Sequence, residues 1–170
     1  MPNPLSVLII GCGNIAGGYD EAGNDKAIRS HAGAYRHDDR FRVVACIDPN
    51  EDRRRQFMTR WEVPAGFSDL AACRAAGGAY DVASVCVPTA HHVAVLRELL
   101  DMPLRAVLAE KPLTGDVAQS QQIVDAYGAA GRPLAVNFLR RFDPVLAALR
   151  REIEVGDWGR LQSASAHYAK

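Results

Sequence analysis

The sequence predicts an α/β fold with a doubly wound parallel sheet, followed by the start of a second α/β domain. Two observations predict it. Short, continuous apolar runs such as Leu5–Ile10 and Val43–Ile47 recur along the chain and end at turn residues, as strands covered on both faces do. Segments with helical periodicity lie between them, the order that builds a parallel sheet with helices on both sides.

Leu5–Ile10 is the first strand and ends at Gly11. Ser30–Arg36 reads as a helix with Ser30 as its N-cap. Phe41–Ile47 is the next strand, closed by Asp48-Pro49, and Glu51–Trp61 is a charged amphipathic helix. Asp69–Ala76 is a short helix stopped by Gly77-Gly78. Asp81–Val87 is a third core strand. Ala90–Leu100 is a helix with Val93, Leu96, Leu99 and Leu100 on one face. Leu104–Ala109 is a strand, Asp116–Ala130 a helix capped by Gly131, and Pro133–Phe138 the last strand of the sheet.

The character changes after Phe138. Arg140–Pro144 is a turn, and Pro144–Glu154 is a helix with Val145, Leu146, Leu149 and Ile153 on one stripe. Leu161–Tyr168 alternates polar and apolar residues, as a strand covered on one side does. No further strand follows to pair with it. The expected organisation is a dinucleotide-binding domain over 1–138, then a linker helix and the first strand of an incomplete second domain over 139–170.

The 170 residues carry 20 basic and 20 acidic side chains, a balance unlike the basic excess of a nucleic-acid binder. No apolar run nears the ~18 residues of a membrane span, and Met1-Pro2-Asn3-Pro4 lacks the basic start of a signal peptide. The four cysteines, Cys12, Cys46, Cys73 and Cys86, form no Cys-x-x-Cys pair. The expectation is a cytoplasmic protein with no membrane or nucleic-acid partner and no bound metal.

Gly11-Cys12-Gly13-Asn14-Ile15-Ala16 follows the first strand and matches the dinucleotide fingerprint of Rossmann domains. Gly11 permits the tight turn, Gly13 lets the backbone approach a pyrophosphate, and Ala16 allows close packing. The start of the following helix offers amides to the phosphates. Asp48 ends the next strand. Its carboxylate suits the ribose hydroxyls of NAD and repels the 2′-phosphate of NADP. Arg53, Arg54 and Arg55 lie one helical turn on. They either soften that preference, leaving NADP possible, or form a solvated face. The gap from fingerprint to Asp48 exceeds the usual ≈ 20 residues. The surplus, Gly17–Arg29, is an inserted loop: a lid, or a tolerated surface loop.

Val87-Pro88-Thr89-Ala90-His91-His92 closes the third core strand beside the expected crevice. Thr89 is placed to cap the next helix and face the nicotinamide ribose. His92 makes either a structural hydrogen bond or a cofactor contact. Glu110-Lys111-Pro112 ends the strand over Leu104–Ala109. Ligands of an open parallel sheet bind beyond the carboxyl ends of its strands, so Lys111 stands where a ligand belongs. The bland alternative is a strand end with two solvated charges.

Together these residues resemble the Gfo/Idh/MocA family of NAD(P)-dependent oxidoreductases. The matching elements are the run at 11–16, Asp48, Val-Pro-Thr-Ala-His-His at 87–92, Glu-Lys-Pro at 110–112, Arg-Arg-Phe-Asp-Pro at 140–144 and Gly-Asp-Trp-Gly-Arg-Leu at 156–161. The resemblance implies hydride transfer between nicotinamide and a sugar, cyclitol or related alcohol. It implies Lys111 as the catalytic residue, with Glu110 orienting it or the nicotinamide side. It implies cofactor contacts from Gly11, Cys12, Gly13, Asn14, Ile15, Asp48, Val87, Pro88, Thr89, His92, Glu110 and Lys111. A homo-oligomer is expected only where the second domain is present. The family's further Asp and His of that domain have no match in this chain. The competing functions are a non-enzymatic NAD-binding module, acting as sensor or assembly partner, and a fold-only relative with a decayed site.

Overall fold

Every strand of the sheet runs parallel, in the order β3-β2-β1-β4-β5-β6. The strands are β1 (Leu5–Ile10), β2 (Phe41–Ile47), β3 (Ala65–Phe67), β4 (Val82–Val85), β5 (Ala106–Ala109) and β6 (Leu134–Val136). The computed structural model describes residues 3–20, 28–165 and 167. Its helices are α1 (His31–Arg36), α2 (Glu51–Trp61), α3 (Leu70–Ala75), α4 (His92–Leu100), α5 (Val117–Ala129) and α6 (Pro144–Val155).

β1 is the hinge of the topology. It pairs with β2 on one side and with β4 on the other, so the strand order reverses there. Side chains alternate along it. Leu8 and Ile10 join one core with Val85, Leu96, Leu99, Ile123 and Tyr127. Val7 and Ile9 join the other with Ala16, Ala32, Phe57 and Trp61. Two covered faces require an unbroken apolar strand, which is why Leu5–Ile10 shows no polar alternation.

The helices start where their caps allow. Ser30 Oγ accepts the Gly33 N–H at 3.2 Å, as expected for α1. Asn50, Asp69 and Asp116 accept the corresponding amides of Arg53, Ala72 and Gln119.

The structure adds β3, an edge strand of three residues that the sequence did not announce. Gly66 belongs there because a Cβ would meet Arg54 Cγ and Cδ at 3.1 and 3.2 Å. The fingerprint also opens differently. The helix after it is a single π-helical turn of five residues, Asn14–Gly18, which takes in the first two residues of the expected insertion.

Contacts divide the chain into two units, Met1–Asn137 and Phe138–Lys170. The second holds a 3₁₀ turn (Leu139–Phe142) and α6, capped by Asp143 with Pro144 in its first turn. The expected strand over Leu161–Tyr168 is not formed at its described residues. Leu161–Ser165 and His167 are irregular and exposed. A strand needs a ladder partner, and among the described residues none pairs with this segment; Ala166 and Tyr168 lie outside them.

Candidate functional site

The carboxyl ends of five strands finish flush. Ile10 is in register with Ile47 and with Val85, Val85 with Ala109, and Ala109 with Val136. The next residue of each strand therefore forms a row across the sheet: Asp48, Gly11, Cys86, Glu110, Asn137. That row borders the crevice at the reversal of strand order, where open α/β sheets take their ligands.

Gly11 fits because it has no side chain. Its φ is +90°, and a Cβ would lie 2.9 Å from the carbonyl carbon and oxygen of Cys86. The fingerprint turn is thus pressed against the end of β4. At Gly13 a Cβ would meet nothing within 4 Å, so this backbone faces open space. Beside it lies a cavity of ≈ 330 Å³, lined by Gly13, Asn14, Arg53, Gln56, Phe57 and Arg60 among others. Ile15 is half-buried and Ala16 fully buried beneath the turn. As at any helix start, the first amides of the turn have no intrahelical partner. One short turn carries little dipole, so amides rather than a macrodipole are what it offers a phosphate.

Asp48 is 2% exposed. Its Oδ2 accepts the Cys12 N–H at 2.9 Å and its Oδ1 the Asn50 N–H at 2.9 Å. The Cys12 amide is therefore committed to Asp48. The arginines divide. Arg53 Nη1 lies 3.4–3.5 Å from both Asp48 oxygens, and Arg54 Nη1 donates to the Asp48 carbonyl at 2.6 Å. Only Arg55 pairs along the helix surface, with Asp52 and Glu51.

The insertion is closed at its base. Asp20 is buried and accepts the Arg29 N–H, the Ser30 N–H and the Ser30 hydroxyl, at 2.6–3.0 Å. Burial opposes the charged form of Asp20, but these hydrogen bonds outweigh it and hold the carboxyl below its usual range. Residues 21–27, the body of the expected insertion, whether lid or surface loop, lie outside the described residues.

Beyond β4, Val87 is half-buried and Pro88 exposed. Thr89 opens a 3₁₀ turn (Thr89–His91) instead of capping α4, which starts at His92 without a side-chain cap. His92 takes the structural of its two expected roles. It is 1% exposed, with Nδ1 3.0 Å from the Leu113 carbonyl and Nε2 2.9 Å from that of Val87. Each ring nitrogen faces a main-chain carbonyl.

Lys111 is exposed, two residues past β5, and the Lys111–Pro112 peptide is cis. Glu110 is buried. Its Oε1 lies 2.8 Å from His31 Nε2 and accepts from Asn137 Nδ2 at 2.6 Å. Its Oε2 accepts the Lys111 N–H at 3.3 Å. Burial would raise this carboxyl, but the His31 and Asn137 hydrogen bonds hold it below the usual range. His31 and Asn137 were not singled out from the sequence. The signals were slight: His31 directly follows the capping Ser30, and Asn137 follows the last strand.

Burial pushes the Cys86 thiol well up, which leaves it a core residue rather than a nucleophile. Among the described residues no cluster of His, Cys, Asp and Glu is placed to hold a metal ion. No helix among them is long and apolar enough to cross a membrane.

The arrangement has counterparts. An inositol 2-dehydrogenase of Corynebacterium glutamicum is 30% identical over 95% of this chain and 44% of its own length. Inositol 2-dehydrogenase 4 of Saccharopolyspora erythraea is 53% identical over a shorter stretch, 32% of this chain and 16% of its own. The WlbA dehydrogenase of Bordetella pertussis, solved with NADH and UDP-GlcNAcA, superposes with a TM-score of 0.77 at 25% identity, over 92% of this chain and 44% of its own. The chain thus spans less than half the length of these relatives. The family model of the oxidoreductase family with the NAD-binding Rossmann fold matches residues 5–138. The chain belongs to that family, Gfo/Idh/MocA, and its sheet order and the glycine turn at the end of β1 agree with the family's Rossmann fold.

Proposed function

We propose that this chain is the nucleotide-binding part of an NAD-dependent dehydrogenase acting on a cyclitol or sugar-type alcohol, with NADP as the weaker cofactor. The observation that carries the reading is the flush row of strand ends. It supports the reading because Gly11, Asp48 and Glu110 follow strand ends in register, with the open backbone of Gly13 two residues beyond Gly11 and the exposed Lys111 one residue beyond Glu110. The residues fit a dinucleotide: open backbone for a pyrophosphate, an acidic residue for a ribose, and a cation where a reacting oxygen belongs. The inositol dehydrogenases among its relatives support the substrate class.

When bound, the nicotinamide supplies the hydride acceptor. The chain's own residues do the rest. Amides of the Gly13–Ile15 turn hold the diphosphate, and Asp48 accepts from the adenosine ribose. Thr89 and Val87 line the path towards the nicotinamide. Lys111 Nζ would take the proton of the substrate hydroxyl as general base. A cytoplasmic setting agrees with the four free cysteines.

The test is calorimetric titration of the chain with NADH, alongside Gly13→Val. Saturable binding that the substitution weakens by about tenfold or more supports the reading. Absence of binding by the unaltered chain overturns it.

A further inference from the structure

The geometry points to His31 as a positioning residue for Lys111, acting through the carboxylate of Glu110; this rests on the reading that Lys111 exchanges the substrate proton. Three elements converge on Glu110: His31 from the start of α1, Asn137 from the end of β6, and the Lys111 amide beside it. Both donors from outside the strand take Oε1, which leaves Oε2 for the Lys111 N–H.

The alternative is a buried polar cluster that only holds the core together. Its position speaks against that. Glu110 lies in the row of residues that borders the crevice, one residue before Lys111, not within the sheet. A buried carboxylate is a poor stabiliser, and apolar residues commonly serve as well in its place. Here the ionised carboxylate is kept, supplied with two fixed donors, and aimed at the backbone of the exposed lysine. With Oε1 occupied, Glu110 grips the Lys111 backbone and leaves its amine free to face a substrate.

His31 also links this site to the insertion. Ser30 is locked to Asp20 through its amide and hydroxyl, and His31 is the next residue. The closing point of the inserted segment and the grip on Lys111 are thus adjacent in the chain.

Lysine-selective ¹⁵N labelling tests this, because the sequence holds only Lys26, Lys111 and Lys170. Amide signals are compared in the unaltered chain, His31→Leu, His31→Gln and His31→Asn, with uniformly labelled samples reporting the amides of β1. Gln places a donor near the position of Nε2; Asn is too short to reach Glu110. His31→Leu is expected to shift the Lys111 amide resonance and speed its hydrogen exchange by about tenfold relative to β1, as loss of a hydrogen bond to a charged group would. His31→Gln should restore the signal and His31→Asn should not, a contrast that remains if the Leu variant fails to fold. An unmoved Lys111 signal in His31→Asn, or equal acceleration throughout β1, overturns the proposal. The readout needs no nucleotide, so NADH titration of the same samples tests the dehydrogenase reading separately.

Discussion

Asp48 Oδ2 accepts the backbone N–H of Cys12 at 2.9 Å, so the residue proposed to read the ribose also ties down the fingerprint turn. Arg53 lies over the same carboxylate and offsets its charge. NAD should bind more tightly than NADP. Asp48→Asn should narrow the gap by removing the repulsion. Asp48→Ala should also weaken both nucleotides, because Cys12 loses its acceptor. Arg53→Ala should widen the gap by about three- to tenfold, a modest figure because Arg53 is largely exposed. Paired calorimetric titrations check all three, and tighter NADP binding by the unaltered chain would reverse the assignment.

The two fingerprint glycines should fail in different ways. Gly11→Ala forces a side chain into the backbone of Cys86 and Val87 at a φ of +90°, where neither side can yield. A loss of about 2–4 kcal/mol of stability is expected. Gly13→Ala adds a methyl to open space and should leave the melting temperature unchanged while weakening nucleotide binding. Thermal melts and NADH titrations of both variants separate the roles. Equal melting temperatures would show that the Gly11 contact relaxes.

Asp20 sets an acid limit on stability. Its folded carboxyl titrates below its unfolded one, because the Ser30 and Arg29 hydrogen bonds outweigh the cost of burial. The native state therefore favours the anion. That stabilisation is complete above the unfolded value of about 3.9 and is lost as pH falls through the lower folded value. Asp20→Asn should cost about 2–4 kcal/mol at neutral pH, since its amide would face three donors. Urea melts from pH 7 to pH 2 should show the two proteins converging on the acid side. A constant gap across that range would remove the carboxylate from the account.

The central strands were legible because β1 is covered on both faces, so its apolar run is continuous. β3 was not, because Ala-Gly-Phe is too short for a period, and its glycine answers to α2 across the sheet. Alternation misled at Leu161–Ser165. It marks a face that a strand could cover, but only a neighbouring ladder makes the strand. The positions of Gly11, Gly13, Asp48 and Lys111 were legible because each is fixed by its place at one strand end. The convergence of His31 and Asn137 on Glu110 was not. It arises from the register of β5 with β6 and from the return of α1, and no spacing within one segment encodes either. The same holds for Arg53 and Arg54, whose turn towards Asp48 depends on how α2 lies on the sheet.

Lys111 should matter for chemistry and little for nucleotide affinity. In the proposed binding mode the diphosphate falls to the turn after β1 and the adenosine ribose to Asp48 at the end of β2. Lys111 follows β5, with β4 between it and β1. On the proposed reading, a group so placed serves the substrate oxygen, not the adenosine end. An interaction made mainly in the transition state lowers turnover and leaves ground-state binding nearly unchanged. Lys111→Ala should leave NAD affinity within about threefold, a difference well below that of one lost hydrogen bond to a charged group. In an enzyme of the relatives' full length that carries this chain, the same change should reduce turnover by about 10²–10⁴-fold, as loss of a placed proton-transfer group does. Lys111→Arg should not rescue it, because guanidinium stays charged and cannot accept the proton. Steady-state kinetics and titration of the three proteins distinguish the outcomes. Activity retained in Lys111→Ala would return the lysine to the role of a solvated strand end. Activity retained in Lys111→Arg alone would reduce its part to electrostatic binding of the substrate oxygen.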